Sequence, residues 1–91
     1  MTIYLVHCDF KAGSPAMANI EKIINDYDGV RHRQDSWFIA SDEPVSAIYD
    51  KLKDSLAHSD YILITKLNYD HICNYPRNIK NWISKNMAQY I

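Results

Sequence analysis

The sequence contains few of the residues that interrupt or cross-link a chain. Only two glycines and three prolines occur in 91 residues, so we expect neither a flexible linker nor a disordered region. The two cysteines, Cys8 and Cys73, are far apart and form no CxxC pair, which excludes a disulfide scaffold and a zinc framework. Reduced thiols fit a cytoplasmic protein, and this is the location we expect.

Long apolar runs and an excess of one charge are also missing. No stretch approaches the ~20 apolar residues that span a bilayer, so no membrane partner is expected. The apolar N-terminus is short and lacks basic residues, and is therefore predicted to be a strand and not a signal peptide. Ten basic and eleven acidic residues give a net charge of −1, which provides no overall attraction for nucleic acid.

The apolar residues that are present follow the periods of strands and helices. Extended segments alternate with segments whose apolar residues recur every three or four positions. The segment Val30 to Ala40 is divided by Asp35-Ser36 into two strands. The expected elements are strands at Ile3 to Phe10, Val30 to Ala40 and Tyr61 to Leu67, and helices near residues 15–28 and 43–57. This order, βαββαβ, predicts one ferredoxin-like α+β sandwich over residues 1–91.

Helix ends are marked by specific residues. Ser14 is a suitable N-cap, and Pro15 fits the first helical position. Asp28-Gly29 is predicted to end the first helix, with the glycine in a left-handed cap. Beyond about residue 70 the chain adds a C-terminal extension with a short amphipathic helix, whose apolar positions are Ile79, Trp82, Ile83, Met87 and Tyr90.

Both faces of the first and last strands are apolar. In the first strand Ile3 and Leu5 alternate with Tyr4 and Val6, so each face receives large side chains. The two main helices can cover only one face of the sheet. The other face requires the C-terminal helix, a partner subunit or both, and we therefore expect a homodimer.

His7 and Asp9 are the main candidate site. They lie two residues apart on one strand, so their side chains point the same way, and a loop follows them. A histidine beside a carboxylate is suited to metal binding or water activation, with Asp9 as the metal ligand. The alternative is structural: Asp9 caps the loop and His7 makes a hydrogen bond at a sheet edge.

Arg31, His32 and Arg33 form the one basic cluster and are candidates for binding nucleic-acid phosphates. The alternative is a solvated strand face, with the arginines paired to Asp26, Asp28 or Asp35. Two further groups of residues are weaker candidates, and we expect both to have structural roles. His7, His71 and Cys73 could bind a metal ion, but they are few. The C-terminal aromatic residues could stack on nucleic-acid bases; they are Tyr69, Tyr75, Trp82 and Tyr90.

A strand ending Tyr-Leu-Val-His-Cys-Asp at Asp9 resembles the aspartate-terminated first strand of the Cas-two family of small CRISPR-associated adaptation nucleases. The run from Arg33 to Phe38 is similar to the Arg-x-Gln-x-Ser-x-Phe stretch of that family. Gln34, Ser36 and Phe38 match this pattern, and its arginine falls on His32. The SinR-labelled relatives are more similar, with an Asp-Ser-Trp-like second strand and a C-terminal Trp-Ile or Trp-Leu helix.

The resemblance implies a ferredoxin-like homodimer in which two copies of Asp9 approach each other and share Mg²⁺ or Mn²⁺. Some members of the family cut RNA or DNA. This chain departs from the family in lacking a basic surface and in having His32 in place of the arginine. Two function classes stay open: a metal-dependent nuclease or nucleic-acid-associated protein, and a non-catalytic dimeric module, encoded by a mobile element, that binds another protein.

Overall fold

A computed structural model describes residues 1–87, which form a four-stranded antiparallel sheet and three α-helices. The predicted α+β class is confirmed. Tyr90, predicted on the last helix, lies outside the described residues. The strands are β1 (Thr2–Asp9), β2 (Asp28–Arg33), β3 (Ser36–Ser41) and β4 (Tyr61–Leu67), and the helices are α1 (Ala16–Ile24), α2 (Val45–Leu52) and α3 (Arg77–Met87). None of the helices within this range is long and apolar enough to cross a membrane.

The strand order β2-β3-β1-β4 places β1 in the interior of the sheet. β1 pairs antiparallel with β3 on one side and with β4 on the other. His7 therefore lies between Ser36 of β3 and Leu63 of β4. Asp9, at the end of β1, pairs with Tyr61 of β4. The candidate pair thus sits where an interior strand leaves the sheet.

Helices α1 and α2 cover one face of the sheet. Ile20 of α1 and Ile48 and Leu52 of α2 pack in one cluster with Val6 and Cys8 of β1, and none of these five exposes any surface. Alternate side chains of a strand point to opposite faces, so Cys8 enters this core while its neighbours His7 and Asp9 face away from it. Cys8 is therefore a core residue.

Helix α3 covers only part of the other face. Its Ile79 and Ile83 pack with Ile3 and Phe38. Toward the end of β1 no element within residues 1–87 covers this face, and the exposed fraction is 68% for Tyr61 and 56% for Leu63. We call this uncovered region the open half-face, defined by His7, Asp9, Tyr61 and Leu63.

The prediction for Gly29 is wrong. Helix α1 ends at Ile24, and Gly29 lies within β2 without a positive φ, so it is not a helix cap. A Cβ at this position would lie 2.6 Å from the carbonyl oxygen of Phe38, so the glycine permits the close approach of β2 to β3. At the other end, α1 begins at Ala16 with Pro15 in the N-cap position, one residue later than predicted, and the hydroxyl of Ser14 accepts a hydrogen bond from the Ala16 N–H at 3.2 Å.

Candidate functional site

The end of β1 presents His7 and Asp9 to solvent on the open half-face. Both residues are exposed, because α3 packs on the opposite end of this face. The rigid interior strand fixes their direction, and the chain then leaves the sheet through a loop. A ligand that approaches from solution therefore has direct access to both side chains.

His7 has a hydrogen-bond partner that the sequence did not reveal. Its Nδ1 lies 2.6 Å from Oγ of Ser36, the residue opposite it on β3. Ser36 is buried, with 5% of its surface exposed. Its hydroxyl is therefore in direct contact with the candidate site.

A cleft of about 330 Å³ opens beside Asp9. It lies between the loop after β1, the start of α1 and the turn from β2 to β3. It therefore brings together two of the predicted site residues, Asp9 and Arg33, with one further acid. The lining residues are Asp9, Phe10, Met17, Arg33, Gln34 and Asp35.

Arg31 does not share this cleft. Its Nη1 pairs with Glu21 of α1 at 2.7 Å, and its Nη2 and Nε donate to the carbonyl oxygens of Gln34 and Arg33 at 2.6 and 3.1 Å. The guanidinium also lies 5.2 Å from the centre of the Trp37 ring. The guanidinium is thus committed to local contacts, with Glu21 as its partner and not the predicted Asp26, Asp28 or Asp35.

His32 points to the face of the sheet that α3 partly covers, opposite to the face on which Arg31 contacts α1. Its ring lies 4.3 Å from the ring of Tyr75, and its Nδ1 is buried without a hydrogen-bond partner in the described part of the chain. Strand alternation and a β-bulge between Arg31 and Arg33 separate the three predicted phosphate-binding residues. The structure therefore brings only Arg33 close to Asp9.

The C-terminal aromatic residues Tyr69, Tyr75 and Trp82 make internal contacts. The ring of Tyr75 also packs edge-on against Phe38 at 5.6 Å. The Tyr69 hydroxyl donates to the carbonyl oxygen of Met87 at 2.7 Å, and Trp82 packs against the α3 core cluster. These contacts agree with the expected packing role.

Asp60 is a residue of the site region that the sequence analysis missed. It is buried, and its carboxylate accepts hydrogen bonds from the Lys11 N–H at 2.7 Å and from the Ser14 hydroxyl and Ala57 N–H at 2.8 Å each. The bond from the Lys11 backbone is the main reason why the pKa of Asp60 is lowered. Its position just before a strand is a common one for aspartate, so the sequence held no specific signal.

Asp60 anchors the segment that follows Asp9 in the chain. It ties down Lys11, two residues after Asp9, and it directly precedes Tyr61, the cross-strand neighbour of Asp9. The loop after β1 is thereby held against the start of β4. The anchored residue Lys11 lies next in sequence to Phe10, which lines the cleft.

One chain does not supply a complete metal site. Residues 1–87 contain no group of three or more histidine, cysteine, aspartate or glutamate side chains able to hold a metal ion. Asp9 and Asp35 offer the carboxylate oxygens that Mg²⁺ and Mn²⁺ prefer, but they are only two. His71 and Cys73 line a different cavity, with Leu5 and Thr65, so they do not join the His7 site.

No family model matches the chain, and no curated protein matches its sequence.

Proposed function

We propose that the chain is a ferredoxin-like, cytoplasmic homodimer of the Cas-two type, in which two Asp9 carboxylates hold Mg²⁺ or Mn²⁺ for cleavage of RNA or DNA. The order β1-α1-β2-β3-α2-β4, the sheet order β2-β3-β1-β4 and the placement of α1 and α2 on one face support the ferredoxin-like assignment. The observation that carries the functional proposal is the exposure of Asp9 on the open half-face, beside exposed apolar side chains.

The apolar residues of the open half-face support self-association. Burying Leu63 and Tyr61 against their symmetry mates removes their exposed surface from water. A twofold axis through this region brings the two copies of Asp9 near each other. The ligand set that is incomplete in one chain then gains oxygens from a second chain.

The roles of the residues follow from this arrangement. Asp9 would hold the cation, and Arg33 in the adjoining cleft would bind a phosphate of the nucleic-acid strand. A bound divalent cation supplies a Lewis acid and lowers the pKa of coordinated water. Asp60 keeps the loop after Asp9 in place throughout.

A cleavage assay tests the catalytic part. Wild type should cut single-stranded or duplex RNA or DNA in Mg²⁺ or Mn²⁺, and Asp9→Asn should abolish the cleavage. Asp26→Asn is the matched control, because Asp26 is also exposed but lies beside Met1, near the opposite end of β1. Equal activity of wild type and Asp9→Asn would refute the metal-site role.

Sedimentation equilibrium tests the dimer. In the presence of Mg²⁺, wild type should give about twice the chain mass of 10.6 kDa at micromolar concentration. Leu63→Lys should give monomer, whereas Ala18→Lys should not, since Ala18 is exposed but lies on α1, which packs on the other face of the sheet. Wild type that sediments as a monomer would refute the dimer.

The second candidate function is a non-catalytic dimeric module that binds another protein. The engagement of Arg31 with Glu21 and the separation of His32 from Arg33 favour it, because they leave little basic surface for a polyanion. This alternative predicts no cleavage by wild type, with the dimer intact.

A further inference from the structure

The hydrogen bond between His7 and Ser36 bears on which nitrogen of the imidazole ring carries the proton. Nδ1 and the hydroxyl oxygen are 2.6 Å apart, so one hydrogen lies between them. Either the serine O–H donates to an unprotonated Nδ1, or an Nδ1–H donates to the serine oxygen. In the neutral ring, the first arrangement leaves Nε2 as a hydrogen-bond donor, and the second leaves it as an acceptor.

The burial of Ser36 distinguishes the two. If Nδ1 donates, the serine O–H needs another acceptor, and within residues 1–87 the hydroxyl has no hydrogen-bond partner except His7. A buried hydroxyl hydrogen without an acceptor carries a desolvation penalty. If the serine donates, every polar atom of the pair is satisfied. The proton of the neutral ring is then on Nε2, which faces solvent because His7 is exposed.

We propose that Ser36 is a positioning residue that holds neutral His7 as the Nε2–H tautomer, so that His7 donates a hydrogen bond to a nucleic-acid phosphate oxygen beside Asp9. In this tautomer Nε2 has no free lone pair. His7 is therefore neither a metal ligand nor a proton acceptor at this site. The phosphate part rests on the proposed function, whereas the tautomer does not.

The chain contains its own standards for the measurement. Nδ1 of His71 lies 2.6 Å from the carbonyl oxygen of Asn68, and a carbonyl can only accept, so neutral His71 carries its proton on Nδ1. His71 and His7 are thus opposite tautomers. His58 is exposed and has no hydrogen bond within the described residues, so it reports an unconstrained ring.

The test is ¹⁵N NMR of the imidazole nitrogens in the full chain at about pH 8.5, some two units above the ordinary histidine pKa of ~6.5. We expect an unprotonated Nδ1 and a protonated Nε2 for His7, and the reverse for His71. Ser36→Ala should move both His7 shifts to those of His58, and Ser36→Thr should restore them. A protonated Nδ1 on His7 in wild type overturns the proposal, and this readout does not depend on how the variants fold.

The phosphate contact is tested separately, without metal, with a single-stranded phosphorothioate oligonucleotide as the probe. The Nε2–H signal of His7 should shift on titration, and that of His71 should not. Inorganic phosphate is the control for a non-specific anion and should give a smaller shift. If the tautomer is as expected but the oligonucleotide causes no shift, the phosphate contact and the nucleic-acid function are refuted while the role of Ser36 stands.

Discussion

Replacement of Gly29 by alanine tests how closely β2 approaches β3. The new Cβ would lie 2.6 Å from the Phe38 carbonyl oxygen and 3.0 Å from Cγ2 of Ile39. The oxygen belongs to the backbone of a central strand, so it cannot rotate away as a side chain would. The β2–β3 hairpin carries Arg33 into the cleft and Ser36 to His7, so the substitution also perturbs the candidate site.

The expected cost combines two opposing effects. Overpacking costs about 1–3 kcal/mol, and the loss of glycine freedom in the unfolded chain returns about 0.4–1 kcal/mol. The net destabilisation is therefore about 1–2 kcal/mol. For a domain of this size, each kcal/mol lowers Tm by roughly 4–8 °C.

Gly13→Ala is the matched control. Gly13 has φ +79° and no atom within 4 Å of the added Cβ, so its substitution costs backbone strain and not overlap. Gly13→Asn should recover part of that loss, because asparagine tolerates the left-handed region, whereas Gly29→Asn should be worse than Gly29→Ala. Urea unfolding at a single protein concentration measures all four variants. A Gly29→Ala protein as stable as wild type would show that β2 does not approach β3 as described.

Three further predictions concern charged and thiol groups. The pKa of Asp60 is lowered from its ordinary value of 3.8, so the ionised carboxylate stabilises the fold above pH 3.8, and this stability is lost as the pH falls through the folded-state pKa. The Tm of wild type should therefore exceed that of Asp60→Asn at pH 7, and the difference should close toward low pH. Burial, with smaller contributions from nearby carboxylates, raises the pKa of Cys8 from 9.0 to about 12, so in a Cys73→Ser background alkylation at pH 8 should be roughly a thousandfold slower in the folded chain than in urea. Arg31→Ala should lower the free energy of unfolding by about 1 kcal/mol in urea unfolding, because the contacts of Arg31 are local. Arg33→Ala should not cause this loss, but it should lower oligonucleotide affinity as measured by fluorescence anisotropy.

The elements of the fold were predictable because periodicity depends on local sequence. The alternation in β1 and the spacing of Ile20 and Ile24 identify one strand and one helix without reference to the rest of the chain. Gly29 was misinterpreted for the same reason. A glycine after a helical pattern is a typical cap, and its actual role depends on Phe38, nine residues away.

The site was only partly predictable, because its contacts join residues distant in sequence. His7 and Asp9 could be placed on one face from their spacing alone. Their partners Ser36 and Asp60 come from other strands and loops, and no local pattern indicates them. Arg31 and His32 illustrate the opposite error: they are neighbours in sequence, and strand alternation sends them to different faces.

The two proposed functions predict different effects of Mg²⁺ on dimer stability, because apolar burial on the open half-face favours the dimer and repulsion between the two Asp9 carboxylates opposes it. Tyr61 and Leu63 are 68% and 56% exposed. Full burial of such a side chain gains about 1.5–3 kcal/mol, so the four copies in a dimer contribute roughly 4–8 kcal/mol. Two carboxylates about 4 Å apart repel by roughly 4 kcal/mol at an effective dielectric constant near 20. A dimer that brings the Asp9 carboxylates together is therefore marginal without a cation, and its dissociation constant should fall when Mg²⁺ is added. A module that joins only the apolar residues has no such dependence.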